Sequence, residues 1–235
     1  MFSATDVGKE KMILEGLRAV IWDFNGTLVD DTVLAVRSIN TQLSRRGLPV
    51  LTIDSYRAVF GFPMTEYYRR LGFDVEVETR TELADEFHET YLPGLPECSL
   101  REGVAELLEA MRKAGLSQFV LSAMEEGVLR AAIRRLGVDP YFTGIYGLGS
   151  RLADSKIARG KELIQDFGLR GAQTLLVGDT DHDAEVGCAL GLSVALVAQG
   201  QQSAERLRAT GSPVYSDFRE LGKALPLTAS RAREA

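Results

Sequence analysis

Asp23, Ser122, Lys156 and Asp179 are the residues of this chain whose types and positions could do chemistry together. Asp23 closes the apolar run "LRAVIWDF" (17–24), and Ser122 closes "SQFVLSA" (117–123). Asp179 closes "TLLVGD", with Asp181 and Asp183 close behind, and Lys156 opens the helical pattern ahead of that run. Two carboxylates side by side repel unless a divalent cation lies between them. Mg²⁺ suits that place, since it takes one or two carboxylates, waters and a substrate phosphate. A carboxylate can also be a covalent nucleophile that forms an aspartyl-phosphate. A lysine and a serine hydroxyl would hold phosphate oxygens, more strongly as the phosphoryl charge spreads in the transition state. The sharp Asn25-Gly26-Thr27 turn can offer backbone N–H groups to the same anion.

Taken singly, each residue has a plainer reading. A strand-end aspartate is usually a cap or turn residue, and Ser122 is an ordinary N-cap candidate. Lys156 alone is a solvated helix lysine. Asp179 and Asp183 can simply cap and charge the N-terminus of the helix that follows them. Order and location together favour the chemical reading.

These residues need a scaffold that brings strand ends to one edge. The runs at 17–24, 117–123, 144–148, 174–180 and 193–198 read as buried strands of a parallel sheet covered on both faces. Helical patterns at 103–115, 125–137, 156–168 and 181–191 alternate with them, and each ends on a glycine suited to a left-handed cap. That alternation predicts an α/β fold, a doubly wound parallel sheet, in which ligands bind beyond the carboxyl ends of the strands. Residues 33–96 break the rhythm with helical patterns alone. They read as a small helical domain inserted after the first strand and left through the hinge-like "LPGLPECS". The expected layout is a tail at 1–16, a core at 17–32 and 97–226, the insertion at 33–96, and a tail at 227–235.

Bulk properties narrow the function. The 235 residues carry a formal net charge of -6 with 45% hydrophobic content, which suits a globular protein and gives no electrostatic footprint for nucleic acid. No stretch approaches a membrane span, and the N-terminus lacks the apolar core of a signal peptide, so a cytoplasmic protein is expected. Cys98 and Cys188 read as reduced, partly buried thiols. A dinucleotide-binding enzyme is disfavoured because "WDFNGT" holds no G-x-G-x-x-G, and a P-loop enzyme because "ARGKEL" lacks its leading glycine and final hydroxyl.

"DFNGTLVDD", the strand-end Ser122, Lys156 and "GDTDHD" resemble the four motifs of the haloacid dehalogenase-like (HAD) hydrolases, over nearly the whole chain and most closely in the phosphoglycolate-phosphatase-like branch. The resemblance implies a Rossmann-like core, with the helical insertion as its cap, and a Mg²⁺-dependent phosphatase acting on a small phosphorylated metabolite. It implies that Asp23 is the nucleophile and that Gly26, Thr27, Ser122, Ala123 and Lys156 contact the phosphate. Asp23, the Asn25 backbone carbonyl, Asp179 and Asp183 would hold or orient the metal. Lys156 lacks the proline that often follows the family's lysine, and Lys161 is the alternative. No nucleic-acid or membrane partner is implied, and a homodimer is compatible with the pattern. Arg69 or Arg70 in "FGFPMTEYYRR" could reach an anionic group of the substrate, against a plainer reading as solvated arginines. His88 reads as a helix surface residue.

Asn25 departs from the family. Its phosphatases usually carry a second aspartate there, which protonates the leaving oxygen and later activates water, and an amide does neither. General acid–base catalysis is worth roughly 10²–10⁴-fold, or about 3–5 kcal/mol. The departure implies a slow or specialised enzyme, with a catalytically weakened phosphometabolite-binding or regulatory protein as the alternative. A substrate with a good leaving group would need little protonation, and His182, Asp30 or Asp31 could take over the proton work. Asn-Gly is also prone to deamidation, and the letters are equally compatible with a deliberate substitution.

Overall fold

The computed structural model describes residues 16–149, 155–225 and 227, so the two expected tails fall almost wholly outside the described residues. Six parallel strands form one sheet: β1 (Ala19–Trp22), β2 (Ser117–Glu125), β3 (Gly144–Leu148), β4 (Thr174–Gly178), β5 (Ser193–Val197) and β6 (Val214–Tyr215), in the order β3-β2-β1-β4-β5-β6. The expected doubly wound α/β architecture is therefore the one observed. The chain adds strands in one direction from β1 to β3, then returns and adds them in the other from β4. The crevice between β1 and β4 is the point where such sheets bind ligands.

Every residue of β1 is buried, which explains why the strand reads as a continuous apolar run. Its side chains alternate between two cores. Val20 and Trp22 pack with Leu108, Leu129 and Phe218, while Ala19 and Ile21 pack with Leu121, Leu163 and Val186. The first face is covered by α5 (Val104–Lys113), α6 (Glu126–Arg135) and α10 (Phe218–Ala224), and the second by α7 (Lys156–Phe167) and α8 (Asp181–Ala189). Gly168 ends α7 at φ 59°, a left-handed conformation that the other three expected cap glycines, Gly115, Gly137 and Gly191, also adopt.

The helical insertion between β1 and β2 comprises α1 (Thr32–Arg45), α2 (Ile53–Val59), α3 (Met64–Arg70) and α4 (Arg80–Gly94). Helices α1 and α4 pack together through the buried Gln42, whose amide donates to Leu83 O at 2.8 Å, and through Arg46, which pairs with Glu78 and Glu86. The two chain crossings into and out of the insertion lie side by side, with Asp30 N on Ser99 O at 2.9 Å and Arg101 N on Leu28 O at 3.0 Å. At its far end the insertion rests on the loop after β5. There Arg57 donates to Gly200 O at 2.9 Å and Gln199 O at 2.8 Å. A short helix after this loop, α9 (Ala204–Ala209), sends Arg206 back to Phe60 O. No helix among the described residues is long and apolar enough to cross a membrane.

Phe218 is 1% exposed and its ring centroid lies 6.3 Å from that of Trp22, the residue before Asp23. Phe218→Ala is expected to destabilise the protein by about 3–5 kcal/mol. The single tryptophan reports unfolding in urea directly, and an unchanged midpoint would show that this face does not support β1.

Candidate active site

Strand register brings Asp23, Ser122 and Asp179 together. Trp22 pairs with Val120 on one side and Val177 on the other, so Asp23 comes level with Leu121 and Gly178. Ser122 and Asp179 then lie one residue further along the neighbouring strands, at a strand spacing of about 4.8 Å. The pairing of β2 with β3 shifts between Leu121 and Glu125, so the strand bulges where Ser122 and Ala123 sit. Ser122 is buried, with its hydroxyl accepting from Met124 N at 3.1 Å, while Ala123 is exposed to the cavity above.

Lys156 reaches this edge from the first residue of α7. Its ammonium lies 2.5 Å from Asp23 Oδ1 and 2.6 Å from Asp183 Oδ1, with all three side chains buried. Lys161, the alternative, is exposed on the same helix. Asp179 is fully buried. It accepts Thr27 Oγ1 on one oxygen and the Gln201 N–H on the other, both at 2.6 Å. A Cβ on Gly200 would come within 2.0 Å of Asp179 Oδ2, and one on Gly26 within 2.3 Å, so both glycines admit that carboxylate by having no side chain. Asp183 also closes the capping box of α8 by accepting Thr180 N at 3.0 Å, and it accepts Thr180 Oγ1 at 2.6 Å as well.

Three carboxylates thus cluster beside one ammonium, which contacts two of them. Asp23, Asp179 and Asp183 each offer an oxygen, and these oxygens lie within 4.8 Å of one another. Burial pushes the Asp23 carboxyl up to about 7, with Asp183 adding to the effect and Lys156 opposing it. Burial, together with Asp23 and Asp183, holds Asp179 well above the carboxylate range. Burial alone would raise Asp183 too, but Lys156 and Thr180 bring it below its ordinary value. A cluster with more carboxylate than it can neutralise, built from hard oxygen donors, fits a divalent cation such as Mg²⁺.

The Asn25 amide is built into a network of its own. Its Nδ2 donates to Asp31 Oδ2 at 2.9 Å and to the Tyr91 hydroxyl at 2.7 Å, and Tyr91 in turn donates to Asp31. Asp31 Oδ1 accepts Gly26 N at 2.8 Å and Gln201 Nε2 at 2.9 Å. The Gly26 N–H, expected to face an anion, is therefore committed to Asp31. Burial raises the Asp31 carboxyl, while the Tyr91 and Asn25 hydrogen bonds pull it back. Of the other groups considered for proton work, Asp30 is half exposed and pairs with Arg101 at 3.1 Å, on the side of the insertion crossings. The imidazole of His182 lies 4.5 Å from the Phe62 ring and contacts Glu185.

A cavity of about 340 Å³ opens over Asp23, Asn25, Ser122 and Lys156, between the sheet edge and the helical insertion. His88, expected on the surface, lines it, as does His182. Arg69 is exposed and tied to Glu66 and Glu76, and neither it nor Arg70 lines the cavity. Both cysteines are free thiols, but Cys188 is exposed where a partly buried one was expected. Tyr91 and Gln201 were not anticipated. Gln201 lies in a loop that follows a strand by four residues, and no local pattern marks it.

The model of the haloacid dehalogenase-like hydrolases matches residues 20–197. Tyrosine-protein kinase PtkA of Mycobacterium tuberculosis is 28% identical over 86% of this chain and 69% of its own length. Its solved structure superposes with a TM-score of 0.74 at 27% identity, covering 90% of this chain and 99% of that one. A 5'-nucleotidase of Pseudomonas aeruginosa is 28% identical over 81% of this chain and 86% of its own. A phosphoglycolate phosphatase of Xanthomonas campestris is 26% identical over 74% and 80%.

Asn25→Asp alone would set a second carboxylate against Asp31, whereas Asn25→Asp with Asp31→Asn exchanges donor for acceptor and keeps every contact. The single variant is expected to lose about 1–3 kcal/mol of stability and the double variant to recover most of it. Urea unfolding of the full cycle measures this coupling, and additive losses would mean that the two side chains are independent.

Proposed function

The chain belongs to the haloacid dehalogenase-like hydrolase family, and we propose that it is a Mg²⁺-dependent phosphatase in which Asp23 carries the phosphoryl group. The observation that carries this reading is the Lys156 ammonium held 2.5 Å from Asp23, with Asp179 and Asp183 alongside, at the carboxyl edge of the sheet. Asp23 attacks phosphorus through a carboxylate oxygen, and the bond to the leaving oxygen breaks with its electron pair going to that oxygen. Water then attacks phosphorus, and the bond to Asp23 breaks to restore the carboxylate. The oxygen and one hydrogen of that water end on phosphate, and its other proton reaches the leaving oxygen through solvent.

Lys156 and the Ser122 hydroxyl hold the phosphoryl oxygens, joined by the backbone of Thr27 and Ala123 at the two strand ends. Mg²⁺ bound by Asp23, Asp179, Asp183 and the Asn25 carbonyl would neutralise the carboxylates and the phosphoryl charge together. Asn25 supplies no proton, and its amide instead holds Asp31 and Tyr91 beside the site. The helical insertion acts as a cap that keeps bulk water from the reacting group. The similarity to PtkA favours a second reading, in which the phosphoryl group passes from Asp23 to a phenolic hydroxyl instead of water.

Native protein is expected to release inorganic phosphate from a phosphomonoester only with Mg²⁺ present, and Asp23→Asn to reduce the rate by about 10³-fold or more. Acid quenching should trap phosphate on Asp23. The Asn25→Asp, Asp31→Asn pair is expected to raise the rate on alkyl phosphates by about 10²-fold, the lower end of what an acid–base group contributes. Turnover that survives Asp23→Asn would discard this mechanism.

A further inference from the structure

On the side of the helical insertion, the cavity over Asp23 carries a cluster of rings. Tyr56, Phe60, Phe62, Tyr67, Phe87 and Tyr91 line it, drawn from α2, α3, α4 and the segment between α2 and α3. These rings already pair in preferred geometries. Phe87 stacks on Tyr91 at 5.2 Å, and Phe60 meets Phe62 edge-on at 5.7 Å. Phe62 is 37% exposed although it lies against His182, which also lines the cavity, so part of an aromatic face is left for another ring to cover. The Tyr67 hydroxyl is buried and has no hydrogen-bond partner among the described residues. Besides Lys156, the one permanent cation among the described lining residues is Arg80, which is exposed. A small doubly anionic metabolite finds little here to hold its second charge, and a cavity of this volume is larger than it needs.

Asn25 points the same way from the chemical side. Because its amide cannot protonate the leaving oxygen, the substrate must give up an oxygen that departs as an anion. A phenolate meets that demand, since phenols ionise near pH 10, whereas an alkoxide is far more basic. We infer that the preferred substrate is an aryl phosphate, whose ring occupies the aromatic cavity and whose phenolic oxygen leaves without a proton from the protein. The inference rests on the phosphatase reading above and adds its substrate class. In the step concerned, a carboxylate oxygen of Asp23 bonds to phosphorus and the bond from phosphorus to the aryl oxygen breaks. The electron pair stays on the phenolate, which takes a proton from solvent once released.

The test compares phenyl phosphate, 2-phosphoglycolate and adenosine 5'-monophosphate in two measurements. Mg²⁺-dependent turnover is measured with native protein, and affinity is measured by calorimetry with Asp23→Asn. Phenyl phosphate is expected to give the highest kcat/KM and to bind about tenfold tighter than either alternative, as one well-packed ring would contribute. Phe62→Ala, at a half-exposed position outside the reacting groups, should lose about that tenfold through KM, and Phe62→Tyr should keep it. Equal affinity for the three compounds overturns the assignment, as does faster turnover of either alkyl phosphate. Tighter binding of phenyl phosphate with no turnover at all would instead sink the hydrolase reading and leave the aryl selectivity standing.

Discussion

One buried ammonium holds the site together. Lys156 sits between Asp23 and Asp183, which belong to different parts of the chain, and all three side chains are removed from water. Burying a carboxylate is costly unless it is paired, and the loss of one partner leaves the other charge stranded. The register of β1 against β4 is what allows one cation to serve both acids, because it sets Asp23 beside Gly178 and brings Asp179 and Asp183 just behind. Even so, one ammonium cannot balance three carboxylates. The raised Asp23 and Asp179 carboxyls express that imbalance, whose cause is burial and mutual repulsion. A site of this kind is organised around a positive charge that the protein itself supplies only in part.

The same reasoning explains why residue 25 cannot be considered alone. Asp31 is buried within hydrogen-bond reach of it, and the Asn25 amide is one of the donors that make this arrangement tolerable. An acid at both positions would create a carboxylate pair that must share a proton, as like charges in contact do. The amide is therefore consistent with its surroundings: Tyr91, Gly26 and Gln201 all turn donors towards Asp31. What reads in isolation as a missing catalytic group is one member of a satisfied network, and restoring the acid means changing its partner as well.

Much of the core was legible because burial on both sheet faces writes itself into the sequence as unbroken apolar runs. Those runs located β1 to β5, and the residues just past β1 and β4 proved to be acids that meet. The left-handed glycines marked where the intervening helices stop. Other parts left weaker traces. β6 is two residues long, too short for any pattern, and α2 is announced only by the Thr52 and Ser55 capping box. His88 was misread because the acids around it in "ADEFHETY" suggest a solvated face, whereas one side of α4 turns it towards the cavity. Tyr91 and Gln201 reach the site across 66 and 170 residues from Asn25 and Asp31, respectively, and only tertiary packing creates those meetings.

The helical insertion and the sheet edge make complementary demands on a ligand. The edge offers an ammonium, a hydroxyl and a cluster suited to a divalent cation, all of which recognise a phosphoryl group and nothing beyond it. Discrimination among phosphates must then come from the insertion, which contributes a cluster of aromatic rings to the cavity alongside Arg80, Asp85 and smaller side chains. A ring bound there would gain apolar burial and ring–ring contact without requiring a second charge, and both gains are available in the ground state. The network around Asn25 adds a constraint that operates only as the bond to phosphorus breaks, because it withholds a proton from the departing oxygen. Binding and bond-breaking thus select through different residues, the first through Phe62 and its neighbours and the second through Asn25. Selectivity that arises at two independent points multiplies, which is how a site without a base or acid at position 25 can still choose its substrate sharply.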